Sequence, residues 1–349
     1  MPPAPISLPR SEVADVLRSY NQGKLQFIRP AAGTANPAVI AVTSTGQFFI
    51  KRRNPRYCSS EQLSYDHDVI RKLAQAGLPV TPPRHTVQGS RWLALEGQIY
   101  EVYELIVGTA HEYGNPAQVS SAGSVLGAFH TATADLEPKA RKLVSRLHDP
   151  KASLRGLAWA RTQLADHDPL RPEDLGRVQR LIAVAEGVSR ALPDETYWRL
   201  PQCVIHGDYH PANLKFDGDE VAGIFDFDWV ARQPRMVDVA DGLAFFCGRR
   251  KRPTEPGDIV SLTQAYEIDR ELACAFGRGY VTGIEPTRDE LEALPHLMRA
   301  RWLFCRVDAM ERKIPAEQKL DYLLNEIETP LAQIDAASEW LVSGEWLRV

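Results

Sequence analysis

The chain has no C-x-x-C pair, no run of 18 apolar residues, no internal repeat and no long block of one charge sign. Five cysteines, Cys58, Cys203, Cys247, Cys274 and Cys305, lie far apart, which fits neither a disulfide framework nor a zinc ribbon and suggests a reducing cytoplasm. The first residues, MPPAPISLPRSEVADVLRSY, lack a basic stretch followed by an apolar one, so neither secretion nor membrane insertion is expected. With 41 basic against 45 acidic residues, the net charge of −4 calls for no nucleic-acid partner. No membrane association and no obligate protein partner are evident either, and a neutral or cationic small substrate fits this balance.

What is present is a soluble, globular composition, 44% hydrophobic and 25% charged, on 349 residues, enough for two lobes. After a helix at about 11 to 20, LQFIRPA, AVIAVT and QFFIKR (25–31, 38–43, 47–52) read as strands separated by turn-prone AGTANP and STG. A helix follows, with Ser59 or Ser60 as cap, a stripe of Leu63, Val69, Ile70 and Leu73, and Gly77 as stop. Strands are expected again at 91–96 and 98–105. Beyond Gly108 the pattern is helical, at about 116–135, 151–166, 172–191, 258–280, 287–312 and 316–341, interrupted by short strands at 202–205, 213–216 and 221–226. Thr287 and Glu290 make a capping box. These segments predict an α+β chain: a β-rich N-terminal lobe (1–104), a hinge near 103–108 and a mainly helical C-terminal lobe (105–349).

The chemistry concentrates in VIHGDYHPAN (204–213) and IFDFDW (224–229). Read as spacing, His206-x-Asp208-x4-Asn213 followed after a hairpin by Asp226 matches the catalytic loop and metal-binding aspartate of protein kinases. Phosphoryl transfer needs a carboxylate to orient the attacking hydroxyl, which suits Asp208. It also needs oxygen donors to hold Mg²⁺ against nucleotide phosphates, which suits Asn213 and Asp226.

In the form HGDYHPAN with IFDFD, the block resembles the aminoglycoside phosphotransferase and choline kinase superfamily, which includes type II homoserine kinases. The resemblance implies a bilobal protein-kinase-like fold and transfer of the γ-phosphoryl group of ATP, with Mg²⁺, to a hydroxyl of a small molecule. By the same resemblance Lys51, at the end of QFFIKR, contacts the phosphates, and Asp66 on the following helix is its acidic partner, one methylene shorter than the usual Glu. Gly33 and Asn36 match a G-x-x-N element of the phosphate-covering loop, and the backbone of Tyr103, Glu104, Leu105 and Ile106 forms the adenine-binding hinge. Glu104 itself reads as a surface or lobe-bridging side chain. His130 and Asp238 match residues that brace the catalytic segment; His206 and His210 read as loop supports, and Asp228 as a metal neighbour, a substrate contact or a turn cap.

Three other readings compete. His206, Asp208 and His210 could ligate a transition metal in a hydrolase, with Asp226 and Asp228 adding carboxylates. The chain could bind nucleotide without catalysis, as a pseudokinase. It could also phosphorylate protein, although D-F-G and A-P-E are absent, which favours a small acceptor. The basic cluster Arg249-Arg250-Lys251-Arg252, followed by Pro253, Pro256 and Gly257, reads as a solvated loop.

Overall fold

Period-two alternation builds the first lobe. The computed structural model describes residues 8–31, 36–142, 144–165, 172–254 and 258–348. In them α1 (Arg10–Ser19) precedes β1 (Leu25–Pro30), β2 (Ala38–Thr43), β3 (Gln47–Arg52), α2 (Ser60–Gln75), β4 (Leu93–Leu95) and β5 (Gln98–Glu104). The strands form one antiparallel sheet in the order β1-β2-β3-β5-β4. Because side chains alternate across a strand, Val39, Ala41, Phe48, Ile50, Tyr100 and Val102 share a face and bury themselves against α1. The opposite face therefore receives Phe49, Lys51, Glu101 and Tyr103, with Lys51 paired to Glu101 and Phe49 to Tyr103 in register. Ser59 starts α2 through a capping box with Gln62.

The second lobe is mainly helical: α3 (Pro116–Thr133), α4 (Pro150–Ala165), α5 (Pro172–Ala191) and α6 (Asp194–Arg199) lead into β6 (Gln202–Ile205), β7 (Leu214–Asp217), β8 (Glu220–Ile224) and β9 (Ala231–Pro234). Then come α7 (Met236–Phe246), β10 (Gly248–Arg250), α8 (Ile259–Leu262), β11 (Tyr266–Ile268), α9 (Arg270–Tyr280), α10 (Arg288–Arg312), α11 (Lys319–Leu324) and α12 (Glu328–Ser343). The β7–β8 hairpin and the β6–β9 pair carry the candidate block at 204–228 between them. Helices α3 and α9 approach backbone to backbone: a Cβ on Gly279 would lie 2.0 Å from the Ser120 carbonyl oxygen, so only glycine permits the contact.

Two expected helices are broken, and each break has an arginine at it that bonds backbone carbonyls. Residues 258–280 divide into α8, β11 and α9, because Arg249 and Arg250 of the basic cluster form β10 and pair with Glu267 and Tyr266. The cluster is thus not one solvated loop. The Arg250 guanidinium turns inward to the carbonyls of Ala244 (2.6 Å), Phe245 (3.4 Å) and Gly248 (2.9 Å), at the C-terminal end of α7, where a cation is favoured. Arg249, Lys251 and Arg252 do stay outside, paired with Asp269, Glu326 and Asp258; Pro256 and Gly257 lie outside the described residues. The 316–341 segment stops at Leu324 and restarts at Glu328 because Arg306 takes the carbonyls of Tyr322 (2.6 Å), Leu323 (3.3 Å) and Asn325, groups a continuous helix would bond internally. The short elements α6 and β9 and the helix α7 were not expected from periodicity.

Candidate active site

Strand β6 delivers its chain into a loop that is pinned from below. The backbone N–H groups of His206 and Gly207 both donate to Asp238, at 2.7 and 2.8 Å. Asp238 is completely buried and is itself held by His130 Nε2 at 3.2 Å, whose other nitrogen meets the Tyr280 hydroxyl at 3.0 Å. Gly207 is required twice over: its φ is +78°, and a Cβ there would sit 2.5 Å from the Trp229 carbonyl oxygen. His206 is fully buried; Nε2 donates to the Phe225 carbonyl (3.1 Å) and Nδ1 accepts from the Asp208 N–H (3.3 Å). With both ring nitrogens engaged, His206 is unavailable as a metal ligand, which removes the His206/Asp208/His210 hydrolase site. Among the described residues no group of three or more His, Cys, Asp or Glu could hold a metal ion.

Asp208 emerges from this scaffold with 36% of its side chain exposed. His210 Nε2 stands 3.3 Å from Asp208 Oδ2, while His210 Nδ1 accepts from the Ala212 N–H at 3.2 Å. Burial pushes the Asp208 carboxyl up, but His210 first, then His206 and Arg301, outweigh it and hold the group at about 2. Burial likewise lowers His210, and the Asp208 charge more than reverses it. Asn213 turns its amide nitrogen toward the Asp208 carbonyl (2.9 Å) and carboxylate (3.3 Å), which leaves its Oδ1 facing away from them. The Asn213 carbonyl accepts from Phe225 N–H at 3.1 Å, which ties the loop to the segment leading into Asp226. Asp226 itself takes the left-handed conformation, φ 66° and ψ 66°, a rare backbone state for a residue other than glycine. Oxygen donors from an amide and a carboxylate suit a hard dication.

Across the cleft, Lys51 Nζ lies 2.9 Å from Asp226 Oδ1 and 2.6 Å from Asp228 Oδ1. Burial lowers the Lys51 ammonium, and these two carboxylates raise it well above its usual value. Lys51 and Asp66 do not pair. The Asp66 carboxylate is 2.7 Å from Arg53 Nη2 and 2.6 Å from Lys142 Nζ, because Arg53 shares the Lys51 face of the strand and a longer side chain reaches α2 first. Arg53 also meets Asp228 and, at 3.5 Å, Glu101, whose other oxygen bonds His67. Asp228 is therefore the meeting point of Lys51, Arg53 and Asn36 (2.7 Å) rather than a turn cap.

Asn36 uses its side-chain oxygen on the Asn54 N–H at 2.8 Å, so both ends of its amide are engaged within the protein; Gly33 lies outside the described residues. The hinge is also partly occupied: Leu105 N–H donates to the Gln47 carbonyl at 3.1 Å, whereas the Ile106 N–H has no partner among the described residues. Glu104 is exposed and pairs with Arg84 at 2.8 Å within its own lobe, so it is a surface residue and not a bridge. Lys51, Asp208, Asn213 and Asp226 form the polar end of a cavity of about 310 Å³ whose apolar wall is Ala38, Ile40, Phe49, Leu105 and Ile224; Asn36, Arg53, Asp66 and His210 line it as well.

Sequence reasoning missed Arg53, Glu101, His67 and Lys142. Glu101 carried a signal, being a charge at an inward-facing alternation position of β5, and Arg53 continues the Lys51 alternation one residue past the end of β3. Lys142 carried none, since it lies in a loop.

A slot between a β-rich and a helical lobe, apolar at one end and lined by lysine, two aspartates and an asparagine at the other, defines a nucleotide-dependent phosphotransferase. The sequence profile of the Phosphotransferase enzyme family matches residues 26–294, and the chain belongs to that family, whose members are ATP-dependent small-molecule kinases acting on hydroxyl groups. It is 29% identical to a homoserine kinase of Rhodopseudomonas palustris over 310 residues, 87% of this chain and 86% of that one. The fold is similar to that of an aminoglycoside phosphotransferase from Alicyclobacillus acidocaldarius, with a TM-score of 0.68, 15% identity, and 98% and 97% of the two chains covered. It is also similar to the amicoumacin kinase hAmiN, solved with AMP-PNP, Ca²⁺ and Ami (TM-score 0.66, 14% identity, 96% and 94% covered). The architecture is accordingly protein-kinase-like. Among the described residues no helix is long and apolar enough to cross a membrane.

Proposed function

We propose that the chain transfers the γ-phosphoryl group of ATP to the hydroxyl of a small molecule in the cytoplasm, with residues 1–104 holding the nucleotide and 105–349 supplying the catalytic loop and the acceptor site. The observation that carries this reading is the convergence of Lys51, Asp208, Asn213 and Asp226 on one cavity from three separate segments: β3, the loop between β6 and β7, and the stretch after β8. Adenine lies against the apolar wall with Ile106 N–H as its free backbone donor, and Lys51 moves from Asp226 and Asp228 to the phosphates. Asn213 Oδ1 and Asp226 would hold Mg²⁺, which would supply neutralisation of charge on the phosphates. Asn36 supports this end of the slot through Asp228.

Asp208 accepts a hydrogen bond from the acceptor hydroxyl and points its oxygen at the γ-phosphorus. As the new O–P bond forms and the bond to ADP breaks, the hydroxyl proton passes to the Asp208 carboxylate. A carboxyl held at about 2 is a weak base, so its main contribution is alignment, as expected where little negative charge leaves the nucleophile early. His206, His210 and Asp238 keep the loop in place.

Asp208→Asn and Asp226→Ala are expected to lower ADP release by on the order of 100-fold or more while leaving the thermal transition of the fold in place. Turnover close to the unmodified chain in either variant overturns the assignment. Binding of MgATP with no turnover on a panel of alcohols, amino alcohols and aminoglycosides would favour the pseudokinase reading.

A further inference from the structure

Helix α10 carries two buried arginines that differ in one respect. Arg306, 3% exposed, has every guanidinium nitrogen bonded, through Nε to Leu323, Nη1 to Thr263, and Nη2 to Tyr322 and Asn325. Arg301, 5% exposed, uses only Nε, on Asp241 Oδ1. Among the described residues neither of its two outer nitrogens has a hydrogen-bond partner, and neither has Asp241 Oδ2. His148, 9% exposed, also has no hydrogen bond through its ring and packs against Phe304 at 5.5 Å. Neither outer nitrogen of Arg301 nor Asp241 Oδ2 is wholly shut off from solvent, so the guanidinium edge and the carboxylate oxygen are reachable by a ligand, and one that displaces the water must supply matching hydrogen bonds.

The position of this pair tells what that is. The Arg301 guanidinium lies over the Phe245 ring at 4.1 Å, and the same ring touches His210 at 5.1 Å. His210 in turn stands 3.3 Å from Asp208. One aromatic side chain thus separates the open edge from the partner of the catalytic carboxylate, on the helical side of the cleft and away from the nucleotide. The field agrees: the Arg301 charge acts on Asp208, His210 and His148 together.

We infer that the outer edge of Arg301 and the free oxygen of Asp241 recognise the phosphoryl acceptor. The guanidinium takes a carboxylate, the Asp241 oxygen takes an ammonium, and the acceptor is a small amino-acid zwitterion that presents its side-chain hydroxyl to Asp208. A bidentate guanidinium–carboxylate contact fixes orientation as well as charge, which a hydroxyl awaiting in-line transfer requires. Because opposite charges sit side by side in the protein, a zwitterion matches both, whereas a ligand with one charge leaves the other unmatched. This inference rests on the phosphotransfer reading above.

Three related alcohols separate its parts: L-homoserine, 3-aminopropan-1-ol, which lacks the carboxylate, and 4-hydroxybutyrate, which lacks the ammonium. L-homoserine is expected to exceed each of the others in kcat/KM by on the order of 10- to 100-fold. Arg301→Met should erase the advantage over 3-aminopropan-1-ol, and Arg301→Lys, which keeps the charge and loses the fork, should restore part of it, with melting curves confirming that both variants fold. Asp241→Asn should erase the advantage over 4-hydroxybutyrate. Equal turnover of all three alcohols by the unmodified chain, or an unchanged ratio in Arg301→Met, overturns the inference and leaves phosphotransfer standing. Calorimetric binding of L-homoserine in the presence of a non-hydrolysable ATP analogue, abolished by Arg301→Met but without turnover in the unmodified chain, would support the recognition pair and overturn the phosphotransfer reading instead. Failure of L-homoserine to bind at millimolar concentration overturns the recognition pair.

Discussion

Asp208 keeps its charge far into acid because three cations or potential cations face it, His210 above all. Its folded value, about 2, lies below the ordinary 3.8, so the stabilisation it contributes is present above about pH 4 and is lost as the pH falls through about 2. The acid limb of kcat/KM between pH 5 and 7 should therefore not report this carboxyl. In the unmodified chain, carbon-13 NMR should find Asp208 titrating near 2, and in His210→Gln it should move toward 4. A midpoint near 4 before the substitution would show that His210 does not hold it. At this scale the sequence was informative. Spacing alone singled out Asp208, Asn213 and Asp226, which the fold brings to one cavity. What spacing could not supply is the partner of each charge: the family resemblance matches Asp66 to Lys51, while the structure pairs it with Arg53 and Lys142.

Arg306 illustrates the element scale. Helical periodicity runs through 316–341, yet the chain leaves the helix after Leu324 and Glu326 takes a φ of 51°. The guanidinium of Arg306, from the preceding helix α10, bonds the carbonyls exposed by that break. Arg306→Met should leave three or more buried carbonyls without a donor and cost about 3 kcal/mol or more, read by urea unfolding. A loss below about 1 kcal/mol would mean that solvent replaces the guanidinium. In the same way the strand β11 formed inside an expected helix because β10 was there to pair with it. Local propensity is a weak prior where a partner from elsewhere satisfies the backbone better.

At the scale of the whole molecule, one buried charge network joins the lobes. Lys142, from the helical lobe, bonds both Asp66 on α2 and the Asp228 carbonyl (2.7 Å), and Arg53, just past β3, reaches Asp66, Glu101 and Asp228. Removing one member strands the others in a dry interior. Arg53→Met should therefore destabilise the chain by about 3–5 kcal/mol, measured by urea unfolding, and should lower turnover through the displaced Asp228 as well. A stability within about 1 kcal/mol of the unmodified chain would show that the network reorganises without cost.

By itself the sequence determined the division into a β-rich and a mainly helical lobe, nearly all of the N-terminal strands, and the candidate block at 204–228 that the fold sets against Lys51. Alternation, helical periodicity and motif spacing are properties of neighbours along the chain, and they survive in one dimension. Only the tertiary structure decided which cation meets which carboxylate, that two expected helices are interrupted, and that Arg301 is left with an open edge near Asp208. Those outcomes depend on groups tens to hundreds of residues apart, brought together by packing and then selected by side-chain reach and by the need of every buried charge for a partner.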